Sequence, residues 1–324
     1  MSANNTITAV EGIKVGHAHD LEAITGVTVV LCEEGAVGGV DMRGTATGTR
    51  EINPLDPLHL VEKAHGICLA GGSAYGLDAA GGVMRWLEER GVGLPVGPTV
   101  VPIVPSAIIF DLRIGNHHIR PDAAMGRSAC EAASPDPVPE GCVGVGAGAT
   151  IGKLRGVAGA MKSGLGSAAV ITPDGLVVGA LAVVNAFGDI IDPDSGKIIA
   201  GCRDDSGGFV DTAKAVRGPI PDRGFSPQNT TLVVVATNAA LTKPQAKKVA
   251  QLAQVGMART ISPCHSTVDG DVVFVLATCK RAEPPNLNRV GVLAADVTAQ
   301  AIVRAVKCAE PMGGLPSWKS LGAK

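Results

Sequence analysis

The sequence predicts an α+β fold in which layers of helices pack against stacked sheets. Short runs of β-branched residues alternate with segments whose apolar residues recur at helical spacing, so both element types are expected. Residues 168–172 and 176–185 are strand-like runs on either side of a Pro173-Asp174-Gly175 turn, which is typical of a hairpin. Strands paired by hairpins, with helices between them, favour layered α+β sheets over a doubly wound parallel sheet.

The other elements are predicted in chain order from the same patterns. Residues 27–31 (VTVVL) form a strand that a turn at residues 33–35 ends, and a helix begins near Ser73. Residues 230–237 (TTLVVVAT) form a buried strand. The next helix has Thr242 as N-cap and Gln245 as its capping-box partner. The last helix covers residues 297–309, with Asp296 as N-cap.

The composition excludes several classes of protein. Of the 324 residues, 46% are hydrophobic and 18% are charged, so the chain can build a sizeable core and is not disordered. A net charge of −2 provides no basic footprint for a nucleic acid or a membrane surface, so we expect neither partner. The eight cysteines form no CxxC pair, and no apolar run suits a membrane span or a secretory signal. We therefore expect a cytoplasmic protein.

Two motifs allow other functional interpretations, and both lack residues that those interpretations need. The Gly-rich residues 143–152 (VGVGAGATIG) resemble a dinucleotide-binding loop, but Ala149 replaces the last glycine and no clear acidic residue follows at the usual distance. Residues 205–208 (DSGG) resemble the serine loop of trypsin-like proteases without the accompanying cysteines and histidine strand. We predict a close-packed glycine turn and a polar turn instead.

One histidine pair has the spacing of metal ligands. His17 and His19 alternate, so on a strand both would face one side and could bind a metal ion. No third histidine or carboxylate motif stands near them in the sequence. We therefore predict no metal and no cofactor.

The most informative feature is a Pro- and Gly-rich loop that leads directly into the buried strand at Thr230. The loop covers residues 217–228 (RGPIPDRGFSPQ) and ends at Asn229. A β-branched threonine also suits a strand start for purely structural reasons. If the Asn229–Thr230 bond were cleaved, however, Thr230 would carry a free α-amine with a pKa of roughly 7.7–8.0 beside its hydroxyl. That amine could take the hydroxyl proton, so one residue would supply both nucleophile and base.

Five motifs in a fixed order show a resemblance to a known family. They are residues 65–76 (HGICLAGGSAYG), 146–153 (GAGATIGK), 181–185 (LAVVN) and 229–238 (NTTLVVVATN), followed by the Asp269-Gly270-Asp271 triplet. The sequence resembles the self-processing N-terminal-nucleophile peptidases of the L-aminopeptidase/D-esterase (DmpA) family. This family includes β-peptidyl aminopeptidases and nylon-oligomer endohydrolases. The resemblance covers nearly the whole chain.

The resemblance implies both a fold and a processing event. The implied fold is a four-layer αββα sandwich of the DmpA and ornithine-acetyltransferase type. Residues 1–324 would form a single catalytic domain that cleaves itself between Asn229 and Thr230, giving a large subunit (residues 1–229) and a small subunit (residues 230–324). A threonine preceded by asparagine is more similar to the nylon-oligomer branch than to the serine branch. The family and the apolar composition also imply a homo-oligomer, for which a tetramer is plausible.

The resemblance assigns roles to residues of the matching motifs. Thr230 matches the nucleophile, and Asn185 matches the asparagine whose side-chain amide could face a developing oxyanion. Lys153 matches a lysine that would act as a fixed cation and favour the neutral α-amine of Thr230. Lys162 is a second candidate for this cation, because the aminopeptidase branch has a lysine in a similar Gly-rich stretch. Tyr75, in the first motif, is a further candidate for a substrate-binding residue.

Asp269 and Asp271 match an acidic pair of the nylon-oligomer branch. Their spacing would place both carboxylates on one side of a strand unless the intervening Gly270 bends the chain. A carboxylate here could orient the Thr230 amine or hold a substrate ammonium group. A simple hairpin turn is the alternative interpretation of this triplet.

The expected reaction is amide hydrolysis through an acyl-enzyme on Thr230, with a small amide or peptide as substrate. The substrate could be an α-peptide, a β-peptide, a D-amino ester or an ω-amide. One alternative is an acyl transferase of the ornithine-acetyltransferase type. The other is an unprocessed, non-catalytic scaffold that binds a small molecule.

Overall fold

The structure is a computed structural model that describes residues 4–219 and 229–322. Within these ranges the strands, in chain order, are β1 (Lys14–Asp20), β2 (Thr25–Met42), β3 (Thr49–Arg50), β4 (Lys63–Ala70), β5 (Leu94–Pro95), β6 (Val100–Val101), β7 (Ser106–Ile108), β8 (Thr150–Ile151), β9 (Met161–Lys162), β10 (Leu165–Ile171), β11 (Val177–Asn185), β12 (Asp189–Ile191), β13 (Ile198–Ala200), β14 (Thr230–Ala239), β15 (Ile261–Ser262) and β16 (Val272–Arg281).

The α-helices of the same ranges are α1 (Ala79–Glu88), α2 (Ala123–Glu131), α3 (Thr212–Ala215), α4 (Lys243–Thr260) and α5 (Leu287–Lys307). Short 3₁₀ helices occupy Ile7–Ala9, Asn53–Leu55, Ser73–Asp78, Gly144–Gly148, Lys153–Arg155, Val157–Gly159 and Lys319–Leu321. None of the helices in the described ranges is long and apolar enough to cross a membrane.

The largest sheet holds the predicted hairpin and the Thr230 strand in adjacent positions. Its strands are ordered β10-β11-β14-β16-β2-β4-β7-β3, and β1 pairs with β2 at the side. β11 is antiparallel to both β10 and β14, which confirms the hairpin. β14 is parallel to β16, and β16 is antiparallel to β2. Strands β14 and β16 therefore lie inside the sheet, between β11 and β2.

Apolar clusters separate four layers. One cluster packs β11, β14 and β16 against α4 and α5. Another packs β2 and β4 against α1 and α2. A further cluster, which includes Val30, Leu232 and Phe274, fills the space between the two halves of the sheet. The order helix, sheet, sheet, helix confirms the predicted αββα sandwich.

The buried character of β14 explains its continuous apolar sequence. Leu232 and Val234 face the cluster between the sheet halves, whereas Val233 and Val235 face α4 and α5. Because both faces are covered, the strand needs no polar side chain between Leu232 and Val235. The predicted helix that follows is confirmed, with the Thr242 and Gln245 capping box in place.

Two predicted element boundaries are wrong. The strand predicted at residues 27–31 does not end at the Glu33-Glu34-Gly35 sequence but continues to Met42. The irregularity there is a shift of register against β4, and Gly35 adopts φ +76°. The bulge therefore bends the strand from one half of the sheet to the other, where a turn had been expected.

The last helix begins earlier than the Asp296 cap that the sequence suggested. Its N-cap is Asn286, whose side chain accepts a hydrogen bond from the Arg289 backbone N–H. Gly291 interrupts the apolar pattern of the first turns and so hides this start. The glycine lies against α4, where a Cβ at Gly291 would lie 2.2 Å from Cδ1 of Leu252 and would displace that side chain.

Candidate active site

Thr230 and Asn185 face each other at the ends of two adjacent strands. Thr230 begins β14, Asn185 ends β11, and the two residues are direct partners in the antiparallel ladder. Directly opposed residues point to the same face of a sheet, so their side chains share a face. Their side chains are withdrawn from solvent, with 3% of Thr230 and 0% of Asn185 exposed. The sheet register thus brings together the residues that were expected to carry the reaction.

The Thr230 hydroxyl lies against the peptide bond that was expected to break. Its Oγ1 donates a hydrogen bond of 2.5 Å to the carbonyl oxygen of Asn229. The same carbonyl accepts a hydrogen bond of 2.8 Å from the backbone N–H of Gly270. The Thr230 hydroxyl, the Asn229 carbonyl and the Gly270 N–H therefore form one contact group.

Gly270 is a functional candidate that the sequence argument did not single out. A Cβ at this position would lie 2.9 Å from the Thr230 Oγ1 and 2.5 Å from the Ala46 carbonyl oxygen. Only glycine lets the backbone of this loop approach the hydroxyl so closely. The close approach accounts for the glycine between the two aspartates, and it could be recognised only once Asn229 was known to pair beside Asp269.

The Asn185 side-chain amide is oriented by its partners. Its Oδ1 accepts hydrogen bonds from the Lys153 Nζ at 2.7 Å and from the Thr150 backbone N–H at 3.1 Å. Its Nδ2 donates to the Phe110 carbonyl oxygen at 3.3 Å. Donors on the oxygen side fix which end of the amide is oxygen, so the N–H end has a defined direction.

Lys153 is the lysine that contacts Asn185. It follows Gly152, which has φ +69°, and its Nζ donates to both the backbone oxygen (2.9 Å) and Oδ1 (2.7 Å) of Asn185. Burial lowers the pKa of Lys153 to about 7, although the nearby carboxylates of Asp269 and Asp111 oppose this shift. The role of Lys153 as the cation beside Thr230 stays a prediction.

Lys162 occupies a separate, closed environment. Its side chain is fully buried, and its Nζ donates to the carbonyl oxygens of Gly146 (3.0 Å), Ala149 (2.9 Å) and Ser163 (2.5 Å). Burial lowers the pKa of Lys162 to about 8. Three carbonyl acceptors match the three protons of an ammonium group, so this lysine ties the Gly-rich segment to β9.

Asp269 fixes the loop that follows Asn185. Its Oδ1 accepts a hydrogen bond of 3.1 Å from the Phe187 backbone N–H. Its Oδ2 accepts from the backbone N–H of Ser266 at 3.1 Å and from the Ser266 hydroxyl. Burial, together with the charge of Asp271, raises the pKa of Asp269 to about 6. The charge of Asp271 thus acts on the ionisation of Asp269.

Asp271 fixes the start of β14. Its Oδ1 accepts a hydrogen bond of 2.7 Å from the backbone N–H of Thr231. Its Oδ2 accepts from the backbone N–H of His265 at 3.2 Å and contacts the His265 Nδ1 at 2.9 Å. His265 was missed in the sequence, where it stands outside the five motifs although it is close in the chain to the aspartate triplet.

The other predicted residues lie outside this hydrogen-bonded group. Tyr75 is 64% exposed, and its ring packs under the Arg120 guanidinium at 3.9 Å. His17 contacts the Thr28 hydroxyl through Nδ1 at 2.9 Å, and the His19 Nδ1 accepts from the Gly144 backbone N–H at 3.1 Å. The two histidines therefore hold β1 against β2 and against the Gly-rich segment.

A small cavity of about 20 Å³ adjoins the site. Its polar lining residues are Asp111, Arg113, Thr150 and Lys153, and its apolar ones are Phe110, Ile114, Val157 and Ala160. Its volume is sufficient for about one water molecule. The Lys153 side chain therefore lies between the Asn185 amide and this cavity.

Solved structures share the fold of this chain. The L-aminopeptidase D-Ala-esterase/amidase of Ochrobactrum anthropi, described as a variant of the Ntn-hydrolase fold, superposes with a TM-score of 0.72 at 21% identity, covering 97% of this chain and 88% of that one. The β-aminopeptidase of a Burkholderia species gives a TM-score of 0.69 at 22% identity, covering 98% and 92%. The fold is therefore of the Ntn-hydrolase type.

Sequence comparisons define the family. The model of peptidase family S58 matches residues 5–318. An uncharacterised aminopeptidase of Mycobacterium tuberculosis is 43% identical, covering 98% of both chains. A 6-aminohexanoate-oligomer endohydrolase of a Kocuria species is 32% identical, covering 91% of this chain and 84% of its own. The chain belongs to peptidase family S58, and it is an amide-bond hydrolase, as the sequence predicted.

Proposed function

We propose that the chain cleaves itself between Asn229 and Thr230 and that the exposed Thr230 is the nucleophile of the mature hydrolase. The products are a large subunit of residues 1–229 and a small subunit of residues 230–324 within one catalytic domain. The observation that carries this proposal is the 2.5 Å contact between the Thr230 hydroxyl and the Asn229 carbonyl oxygen, opposite Asn185 in the sheet.

Self-cleavage begins with attack of the Thr230 Oγ1 on the carbonyl carbon of Asn229. The Gly270 N–H, already 2.8 Å from the carbonyl oxygen, stabilises the negative charge that develops there. The bond between the carbonyl carbon and the Thr230 nitrogen breaks, and the nitrogen leaves as an amine carrying the hydroxyl proton. Water then hydrolyses the resulting ester to the Asn229 carboxylate and the free Thr230 hydroxyl.

In turnover, the same hydroxyl attacks a substrate amide. The Thr230 α-amine accepts the hydroxyl proton and returns it to the departing amine, which leaves an acyl-enzyme on Oγ1. The Asn185 Nδ2 donates to the oxyanion of each tetrahedral intermediate. A donor of this kind contributes roughly 10²–10³ in turnover. Water, activated by the α-amine, releases the acyl group.

Lys153 and the two aspartates support this chemistry by orienting the reacting residues. Lys153 holds Oδ1 of Asn185, so the opposite end of the amide can face the oxyanion. Asp269 and Asp271 accept backbone N–H groups at Phe187 and Thr231, next to the two reactive residues. These contacts favour a role in orienting the nucleophile over a role in holding a substrate ammonium.

The substrates that we propose are short amides, including ω-amino-acid oligoamides. One set of relatives bears aminopeptidase names and another is named for 6-aminohexanoate oligomers. The family membership favours hydrolysis over the acyl-transferase and scaffold alternatives. A cytoplasmic location and a homo-oligomeric assembly stay predictions of the sequence.

The test compares Thr230→Ala with Thr230→Ser in the full-length chain. Denaturing electrophoresis and intact mass should show two pieces for the wild type, the smaller one starting at Thr230. We expect Thr230→Ala to remain one inactive chain and Thr230→Ser to be processed, because it keeps a hydroxyl. A panel of α-, β- and ω-amides then identifies the substrate. Processing at this bond in Thr230→Ala, or normal hydrolysis by that variant, would contradict the proposal.

A further inference from the structure

His265 forms part of a hydrogen-bonded path to the nucleophile strand. Its Nδ1 lies 2.9 Å from Oδ2 of Asp271, and Oδ1 of the same carboxylate accepts the Thr231 backbone N–H at 2.7 Å. Thr231 is the residue after the nucleophile. A carboxylate between two donors keeps both at fixed positions, so the imidazole is linked to the Thr230 end of β14.

The local chemistry fixes what the imidazole does. Asp271 is almost completely buried, and an ionised buried carboxylate requires N–H donors on both oxygens. When Asp271 is ionised its Oδ2 can only accept, and the His265 Nδ1 is then the donor of this contact. The side chain of His265 is 22% exposed, whereas that of Asp271 is 2% exposed. The histidine therefore closes the outer side of a buried carboxylate.

The backbone of His265 has an uncommon conformation. Its φ is +56°, in the left-handed region that glycine adopts freely and that asparagine, aspartate and histidine adopt more often than other residues. A residue held in this conformation points to a constraint from its surroundings, and here the side chain is the group in contact with Asp271. The Cys264 Sγ lies 3.9 Å from the same Oδ2, a weaker contact.

We infer that His265 is a positioning residue for the nucleophile. By holding the Asp271 carboxylate against the Thr231 N–H, it keeps Thr230 opposite Asn185 during self-cleavage and turnover. This inference rests on the proposed function of Thr230. It predicts effects on the rates of processing and of turnover, with substrate affinity largely unchanged.

A neighbouring metal ion would be a different explanation of the same cluster. The ligand atoms of Cys264, His265 and Asp271 lie within 4.8 Å of one another. Oδ2 of Asp271 already accepts two N–H groups of His265, however, so the carboxylate is satisfied by protein donors. The hydrogen-bonded arrangement is therefore the one that the geometry favours.

Two substitutions isolate the side chain without straining the backbone. His265→Gly removes the imidazole, and glycine accepts a φ of this sign at no steric cost. His265→Asn also tolerates the left-handed conformation, and its Nδ2 can replace the Nδ1 donor to Asp271. His59→Ala, at an exposed histidine of another loop, is the matched control.

The experiment measures processing by intact mass over time, then kcat and KM of the processed enzyme and its thermal midpoint. We expect His265→Gly to slow processing and lower kcat by roughly ten- to hundredfold, because small displacements of reacting groups have effects of this size. KM should change little, His265→Asn should recover most of the rate, and His59→Ala should match the wild type.

Several outcomes would overturn the inference. They are normal rates in His265→Gly, failure of His265→Asn to recover any rate, and a lower thermal midpoint with unchanged rates. A stoichiometric metal ion in the purified protein that disappears in His265→Gly would assign the cluster to metal binding instead. A wild-type chain that is never cut before Thr230 refutes the proposed function itself, which separates the two failures.

Discussion

Lys153 and Lys162 are close in sequence, yet Lys153 is partly buried whereas Lys162 is fully buried, and their surroundings differ. The Lys153 Nζ donates twice to Asn185 and its side chain lines a cavity beside the site. The Lys162 Nζ is enclosed by three backbone carbonyl oxygens. A buried ammonium surrounded by fixed carbonyls stabilises the fold. The Lys153 ammonium group, in contrast, is bonded to the Asn185 side-chain amide. If Asn185 takes part in the reaction as proposed, a change in the charge of Lys153 can alter the reaction rate.

The largest expected effect is on the stability of the fold, and it tests the role assigned to Lys162. Lys162→Met leaves the carbonyls of Gly146, Ala149 and Ser163 without their buried donor, which should lower the free energy of unfolding by about 3–5 kcal/mol. Urea unfolding with an inactive Thr230→Ala background, which keeps the chain uncut, measures this loss. An equal loss in Lys153→Met would remove the distinction between the two lysines.

The next effect concerns the residue that Lys153 holds. Asn185→Ala removes the proposed oxyanion donor and should lower kcat by roughly 10²–10³ while the protein stays folded. Steady-state kinetics and circular dichroism of the processed variant measure both quantities. Unchanged turnover would exclude Asn185 from the reaction and would leave Lys153 without a reactive partner.

A somewhat smaller effect is expected for Lys153 itself. Lys153→Met removes the 2.7 Å donor to Oδ1 of Asn185, and the loosened amide should reduce kcat by roughly 10²-fold. Lys153→Arg keeps a positive charge at every accessible pH. This variant therefore distinguishes a requirement for positive charge at residue 153 from a requirement that the side chain release a proton. If the Arg variant worked equally well at pH 6 and pH 9, the charge alone would be what matters.

The smallest effect is the pH dependence of stability that Lys162 adds. Its pKa is lowered by burial to about 8, so above that pH the unfolded chain binds more protons at this group than the folded chain. Stability from this group therefore rises with pH between its folded value and the ordinary lysine value. The unfolding free energy of the wild type relative to Lys162→Met should increase by roughly 2 kcal/mol between pH 8 and pH 10. If the difference in unfolding free energy between the wild type and Lys162→Met did not change over that range, the surroundings of Lys162 would not lower its pKa.

The sequence predicted the elements on which the site stands, and the reasons are local. The hairpin follows from a Pro-Asp-Gly turn between apolar runs, and helix α4 follows from a complete capping box. The motifs at Asn185 and Thr230 also suggested a shared site. Their direct opposition in the ladder is a matter of register between distant segments, which the resemblance implied but no local pattern specifies.

Other features depend on tertiary contacts that a single sequence does not contain. The sequence around Lys153 and Lys162 does not indicate which of the two lysines binds backbone carbonyl groups and which binds the Asn185 side chain. The Gly270 approach to Thr230 and the His265 contact with Asp271 require the pairing of Asn229 beside Asp269. The loop at residues 217–228 was expected to lead into the cleavage site, and its residues 220–228 lie outside the described residues.

The position of β14 and β16 inside the large sheet determines what a nicked molecule would look like. β14 is hydrogen-bonded to β11 of the N-terminal piece on one side, and β16 is hydrogen-bonded to β2 of that piece on the other. After a cut before Thr230, the shorter polypeptide would therefore stay interlocked with the longer one. Its departure would require the middle of the molecule to come apart. The hydrogen bonds of the sheet would therefore hold the folded protein together without the Asn229–Thr230 peptide bond.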